Sequence, residues 1–217
     1  MPSVFFLPLM KGIKRYNNHN MAAEKNLPKF SDDVLCLFFP LSYPASSTSY
    51  QINGNFFTFT GLRDAINGGP KGVPFKATKA SQVEFPALTG QSVSLAVLQY
   101  EPRPTGINPP HIHPRSAELL LVIQGAVIVG LVDSTNKLYT QTLYAGDAFI
   151  FPKGLVHFQV NGDSKYPAIA VSAFGSASPG TISLPKNIFG SGIYNWVLAQ
   201  SFKTDVDTIN KLVSANS

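Results

Sequence analysis

Between Phe56 and Ser176 short apolar runs alternate with turn-forming residues, and this spacing predicts β-strands. The runs are FFTFT (56–60), VSLAVLQYEP (93–102), ELLLVIQGAVIVGLVD (118–133), KLYTQTLYAGDAFIFPKG (137–154), VHFQVNG (156–162) and AIAVSAFGS (168–176). Turn residues punctuate them at roughly ten-residue intervals, the rhythm of a sandwich or barrel. DSTNK (133–137) reads as a hairpin turn. Several runs are apolar at consecutive positions, which predicts burial on both faces: one inside a barrel, the other against a second sheet or subunit.

The flanks differ. Residues 1–30 carry no hydrophobic period and read as a flexible or processed arm. An irregular lead-in follows at 31–54, and the barrel with its lead-in extends to residue 192. Its last stretch, 177–192, is rich in Gly, Pro and Ser and reads as a connector. The tail, 193–217, changes period. YNWVLAQSF and TDVDTINKLVSA predict two short helices, with Thr204 and Asp207 spaced as a capping box. Trp196, Leu198, Phe202, Val206, Ile209, Leu212 and Val213 form a large apolar set for so short a tail. A closed barrel exposes little core for them to cover. The expectation is therefore docking on a neighbouring subunit, with folding back on their own domain as the alternative.

Composition supports one all-β domain with appendages. The 217 residues are 44% hydrophobic and 13% charged, and the 16 Phe, 8 Tyr, 17 Gly and 17 Pro favour strands and tight turns over a helical bundle. The net charge of +5 is local: Lys11, Lys14, Arg15, Lys25 and Lys29 against Glu24 place +4 of it in residues 1–30. No basic stripe with interleaved aromatics is present, so no nucleic-acid partner is expected. Cys36, the single cysteine, permits neither an intrachain disulfide nor a thiolate cluster, and in VLCLFF it reads as a small buried hydrophobe. No stretch reaches the ~18 apolar residues of a membrane span. The start, MPSVFFLPLMKGIKR, matches a secretory signal poorly, because its apolar run is short, contains Pro8 and precedes its positive charges.

Chemistry concentrates around the histidines. Of four, His19, His111, His113 and His157, three lie in the strand region. In extended chain, side chains at i and i+2 share a face, so His111 and His113 point the same way, stiffened by Pro109, Pro110 and Pro114. Glu118 heads the apolar run LLLVI, where a lone buried carboxylate is costly; a cation beside it removes the cost, as would water or Arg115. His157 opens a later strand after GDAFIFPKG. Three imidazoles and a carboxylate without sulfur suit manganese, iron(II), nickel, copper or zinc. Arg115 and Lys153 lie close in sequence to these groups and either draw in anions or are solvated loop charges. Gln159 shares a face with His157, which leaves it a pocket residue or a structural one.

Residues 106–125 and 146–161 resemble the two cupin motifs as they occur in plant germins and germin-like proteins. The first reads His111-x-His113, Glu118, Gly125. The second reads Gly146, Pro152-x-Gly154, His157, Asn161. The glycine usual six positions before the first histidine is Thr105 here, with Gly106 adjacent. SDDVL, NGNFFTFTGL, SASPGTISLPKNIFGSG and the tail extend the resemblance over 31–215. It implies a cupin jelly-roll β-barrel with short C-terminal α-helices that clasp neighbours in a hexamer, a trimer of dimers. It also implies Mn²⁺ held by His111, His113, Glu118 and His157, and an extracellular, apoplastic location linked to plant defence or the cell wall. Superoxide dismutation is the expected activity, acting on a small anion. Oxalate oxidation, or receptor-like binding without turnover, are the alternatives. Asn108 matches a pocket asparagine of the family's oxalate oxidases and is either a pocket donor or a brace of its turn. The place of their second pocket asparagine is Leu98. The paired N-terminal cysteines usual in germins are not matched, since Cys36 stands alone.

Overall fold

The computed structural model describes residues 53–70 and 72–217, and every structural statement below concerns these. The arm at 1–30, Cys36 and nearly all of the lead-in lie outside them.

Ten strands form two five-stranded antiparallel sheets. The strands are β1 (Phe75–Ala80), β2 (Ser94–Tyr100), β3 (Ile107–Ile112), β4 (Glu118–Gln124), β5 (Ala126–Val132), β6 (Leu138–Tyr144), β7 (Ala148–Phe151), β8 (Val156–Asn161), β9 (Ala168–Phe174) and β10 (Ile182–Ser183). One sheet has the order β1-β2-β9-β4-β7, the other β10-β3-β8-β5-β6. Leu98, Tyr100, Leu120, Val122 and Phe151 of the first sheet meet Val127, Val129 and Leu143 of the second in one core. This is the all-β architecture that the alternation predicts: along β4, Glu118, Leu120 and Val122 are buried while Leu119, Leu121 and Ile123 are exposed.

Turns divide the long apolar runs. Gly125, with φ +79°, separates β4 from β5, and a Cβ there would press on the Pro167 carbonyl and Ala168. The hairpin at 133–137 forms as expected, its Asp133 Oδ1 accepting from the Thr135 and Lys137 amides. Gly106 explains the shifted motif glycine, since a Cβ on it would overlap the Glu101 carbonyl oxygen.

Three expectations are corrected. FFTFT forms turns instead of a strand. The Asn53 side chain accepts from the Asn55 amide and Thr58 Oγ1 donates to the Gly54 carbonyl, local bonds that compete with a ladder. The strand is instead FKATKA, β1, whose two lysines hide its alternation but which pairs along its length with β2. The connector at 177–192 contains β10 and a helix, α2 (Leu184–Phe189), with α1 (Arg63–Ile66) being the short helix upstream. The tail helices are α3 (Asn195–Phe202) and α4 (Val206–Asn216). Asp205, not Thr204, caps α4 by accepting from the Thr208 amide at 2.8 Å.

Leu198, Ala199 and Ile209 of α3 and α4 pack on one another and on Ile188 and Phe189 of α2, forming a small core of their own. Tyr194, Trp196 and Phe202 remain more than half exposed.

Candidate metal centre

Strand register gathers the sequence-predicted residues at one end of the barrel. His111 on β3 lies opposite His157 on β8, and Asn108 opposite Gln159. The ladder shifts between Asn108 and His111, where Pro109 and Pro110 have no N–H to donate. Glu118 heads β4, paired with Phe151 of β7 and Phe174 of β9. His113 follows β3. One ligand atom from each of His111, His113, Glu118 and His157 lies within 4.8 Å of all the others, and all four residues are buried.

Backbone carbonyls set the imidazoles. Nδ1 of His111 donates to Pro109 (2.8 Å), Nδ1 of His113 to Gly180 (2.5 Å) and Nδ1 of His157 to Leu155 (2.8 Å). A carbonyl only accepts, so Nδ1 of each ring carries a proton, and in the neutral ring Nε2 presents its lone pair toward the centre. Nε2 of His113 and of His157 lie 2.9 and 3.2 Å from Glu118 Oε2. With Nδ1 already donating, either ring donates to Glu118 through Nε2 only when its imidazole carries a second proton. A shared cation satisfies all four groups, and the donor set therefore fits a metal ion. Glu118 Oε1 accepts from Ser172 Oγ at 2.5 Å and from Gln159 Nε2 at 3.5 Å.

The electrostatics agree. Burial and then repulsion from His157 lower His111 to about 4, so it is neutral at pH 7. Burial by itself would raise Glu118, but hydrogen bonds from His113, His157 and Ser172 hold it at about 2, so it is ionised. Behind the ligands Phe151 stacks on His157 at 4.4 Å and Phe174 meets His113 edge-on at 4.8 Å. In front, a cavity of about 290 Å³ reaches His111, His113 and Glu118.

The remaining predicted residues divide. Asn108 lines the cavity, but its amide donates to Gln159 Oε1 at 2.6 Å, so it braces as well. Gln159 is fully buried behind Glu118 and is not on the cavity wall. Neither Arg115 nor Lys153 lines the cavity. Arg115 instead binds the Ser178 carbonyl at 2.6 Å and Ser178 Oγ at 3.1 Å, and its own amide binds Pro179. It thereby secures the loop whose Gly180 carbonyl orients His113. Sequence reasoning missed Ser172; a hydroxyl at an inward position of the apolar run AIAVSAF was its signal. It also missed Lys79 and Glu84, which line the cavity from a strand and a turn that the pattern did not reveal.

The family model described as Cupin matches residues 72–210. Germin-like protein 9-3 of Oryza sativa subsp. japonica is 57% identical over 173 residues, covering 78% of this chain and 79% of the relative. This chain belongs to the germin-like cupins. Germin-like protein 9-1 of the same plant is 50% identical over 171 residues, covering 78% of this chain and 68% of the relative. Among solved structures, an oxalate oxidase superposes with a TM-score of 0.71 at 31% identity, covering 79% of this chain and 85% of that chain. An oxalate oxidase in complex with the substrate analogue glycolate gives the same TM-score and coverage at 30% identity. The cavity of this germin-like cupin carries Leu98, buried on β2, on its wall. No helix among the described residues is long and apolar enough to cross a membrane.

Proposed function

We propose that this germin-like cupin is a manganese-dependent oxidoreductase of the superoxide dismutase type. His111, His113 and His157 through Nε2, with Glu118 through its carboxylate, would hold the ion. The convergence of these four buried donors at the head of a solvent-connected cavity carries the reading. Zinc in such a set fills its tetrahedral shell, whereas an ion preferring six donors keeps positions for a small anion. When bound, manganese supplies one-electron redox chemistry. The chain's residues hold the ligands in their metal-binding tautomer, keep Glu118 ionised and exclude water from behind with Phe151 and Phe174. Two superoxide ions and two protons then yield one dioxygen and one hydrogen peroxide.

Oxalate oxidation is the second reading, favoured by the oxalate oxidase structures. Against it stand Leu98, which cannot donate a hydrogen bond, and Asn108, whose amide is engaged by Gln159. Manganese-loaded protein is expected to dismutate superoxide and to release no hydrogen peroxide from oxalate. His111→Ala and His157→Ala lose that activity without losing the fold. Stoichiometric zinc with negligible manganese in the purified protein overturns the redox reading. Peroxide from oxalate reverses the ranking, and no turnover by loaded wild type leaves a receptor-like binding cupin.

The same reading includes a homohexamer, a trimer of dimers, in the apoplast. The exposed apolar outer face of the first sheet (Leu95, Leu119, Leu121 and Ile150) and the exposed aromatics of the tail support assembly. Secretion rests on the germin-like relationship and is tested by following a reporter fused to residues 1–30.

A further inference from the structure

The cavity that leads to the four ligands has one cationic side chain on its wall, Lys79. It stands on β1 in the inward set Phe75, Ala77, Lys79, and registers with Ala96 of β2, which in turn registers with Ser172 of β9. Ser172 is the residue that donates to Glu118. Lys79 thus occupies the same cross-strand row as the Glu118 support, at the open edge of that sheet. Its ammonium has no carboxylate partner within ion-pair distance among the described residues, although it is exposed and free to reorient. Glu84 shares the wall and feels the Lys79 charge, which helps to lower its carboxyl, but the two form no ion pair, and Ser81 holds the Glu84 Oε2 through both Oγ (2.5 Å) and the amide (3.0 Å).

The lining shared by the ligands and Lys79 is largely apolar, with Ala77, Ala96, Leu98 and Phe174, and includes Ser94 and Asn108 as polar members. At about 290 Å³ the cavity is near the lower end of small-molecule sites and far exceeds what a diatomic anion needs. Its charge-binding groups are therefore the metal-binding cluster and one ammonium, in a largely apolar lining. We propose that Lys79 is an anion anchor and that the cavity takes small acids with two anionic groups separated by an apolar spacer, one group at the four-ligand centre and the other on Lys79. This deepens the metal reading and rests on it for the inner end alone.

Glutarate and valerate form a matched pair: the same carbon chain with and without the second carboxylate. Calorimetric titration of the manganese-loaded full chain is expected to show glutarate binding about fivefold more tightly, the scale of a solvent-exposed ion pair, with the preference shrinking as salt rises. Lys79→Met abolishes the preference while leaving valerate affinity unchanged, and Lys79→Arg retains it. Equal affinities in wild type overturn the proposal, as does a parallel loss of both acids in Lys79→Met, which would mark a structural role. Metal content measured on the same samples separates the two readings. A Lys79-dependent preference in protein that takes up no manganese sustains the anchor and removes the metal reading. Manganese-loaded protein without the preference does the reverse.

Discussion

At the residue scale the centre depends on groups that do not touch its contents. Each histidine has a carbonyl partner, and the His113 partner, Gly180, belongs to a loop tied down by Arg115. Arg115→Ala is expected to lower metal affinity about tenfold, the typical cost of losing an outer partner of a ligand, with the melting behaviour of the metal-free protein little changed. Competition with a chromophoric chelator measures it. Protons compete for the same atoms. His111 falls from 6.5 to about 4 on folding and Glu118 from 4.5 to about 2. Both folded values lie below the unfolded ones, so the unfolded chain takes up more protons on acidification. The stabilisation is complete above about pH 6.5, begins to decline as His111 titrates in the unfolded chain, and is lost as pH falls through about 4 and then about 2. The urea midpoint of metal-free protein, followed from pH 7 to pH 3, should fall steadily, and a flat profile would refute the assignment. Asn108 also belongs at this scale: it lines the cavity while its amide braces Gln159.

At the element scale the turns decide whether the strands bring the ligands together. Gly125 lets one long apolar run become β4 in one sheet and β5 in the other. Gly125→Ala forces a side chain into a left-handed conformation against the Pro167 carbonyl and is expected to cost about 1–3 kcal/mol, read from denaturant unfolding. Most strands were legible because their apolar runs are bounded by turn residues. The exceptions have identifiable causes. At 56–60 a β-rich composition lost to side-chain bonds from Asn53 and Thr58. At 75–80 two lysines masked a strand, and one of them, Lys79, faces the cavity. The capping residue of α4 shifted by one because Asp205 serves both the amide and the hydroxyl of Thr208.

At the scale of the whole molecule, surfaces remain that the fold does not bury. α1 covers part of the first sheet's outer face through Ala65 and Leu62 on Val97 and Ile169. Leu119, Leu121 and Ile150 beside it are 39–53% exposed. The tail helices bury Leu198 and Ile209 among themselves and leave Trp196 65% exposed. The tail thus folds back on α2 and presents aromatics outward. Placing charge on the sheet face, Leu121→Lys with Ile150→Lys, is expected to break the proposed assembly into smaller species with the barrel intact. Light scattering after size exclusion reads the mass, and circular dichroism the fold. An unchanged mass would place the interface elsewhere.

The resemblance to the two cupin motifs implied the four donors; the sequence by itself determined the all-β class, most of the strands and the pairing of His111 with His113. Those properties follow from local rules: period-two alternation, turn residues, and the shared face of His111 and His113. Tertiary structure alone decided which residues meet across strands. Ser172, Gln159 and the Gly180 carbonyl reach the centre through register and a returning loop, and Lys79 enters the cavity from a strand far earlier in the chain. No local pattern encodes such long-range pairing, because side chains on an antiparallel sheet take their neighbours from register and not from proximity in the chain.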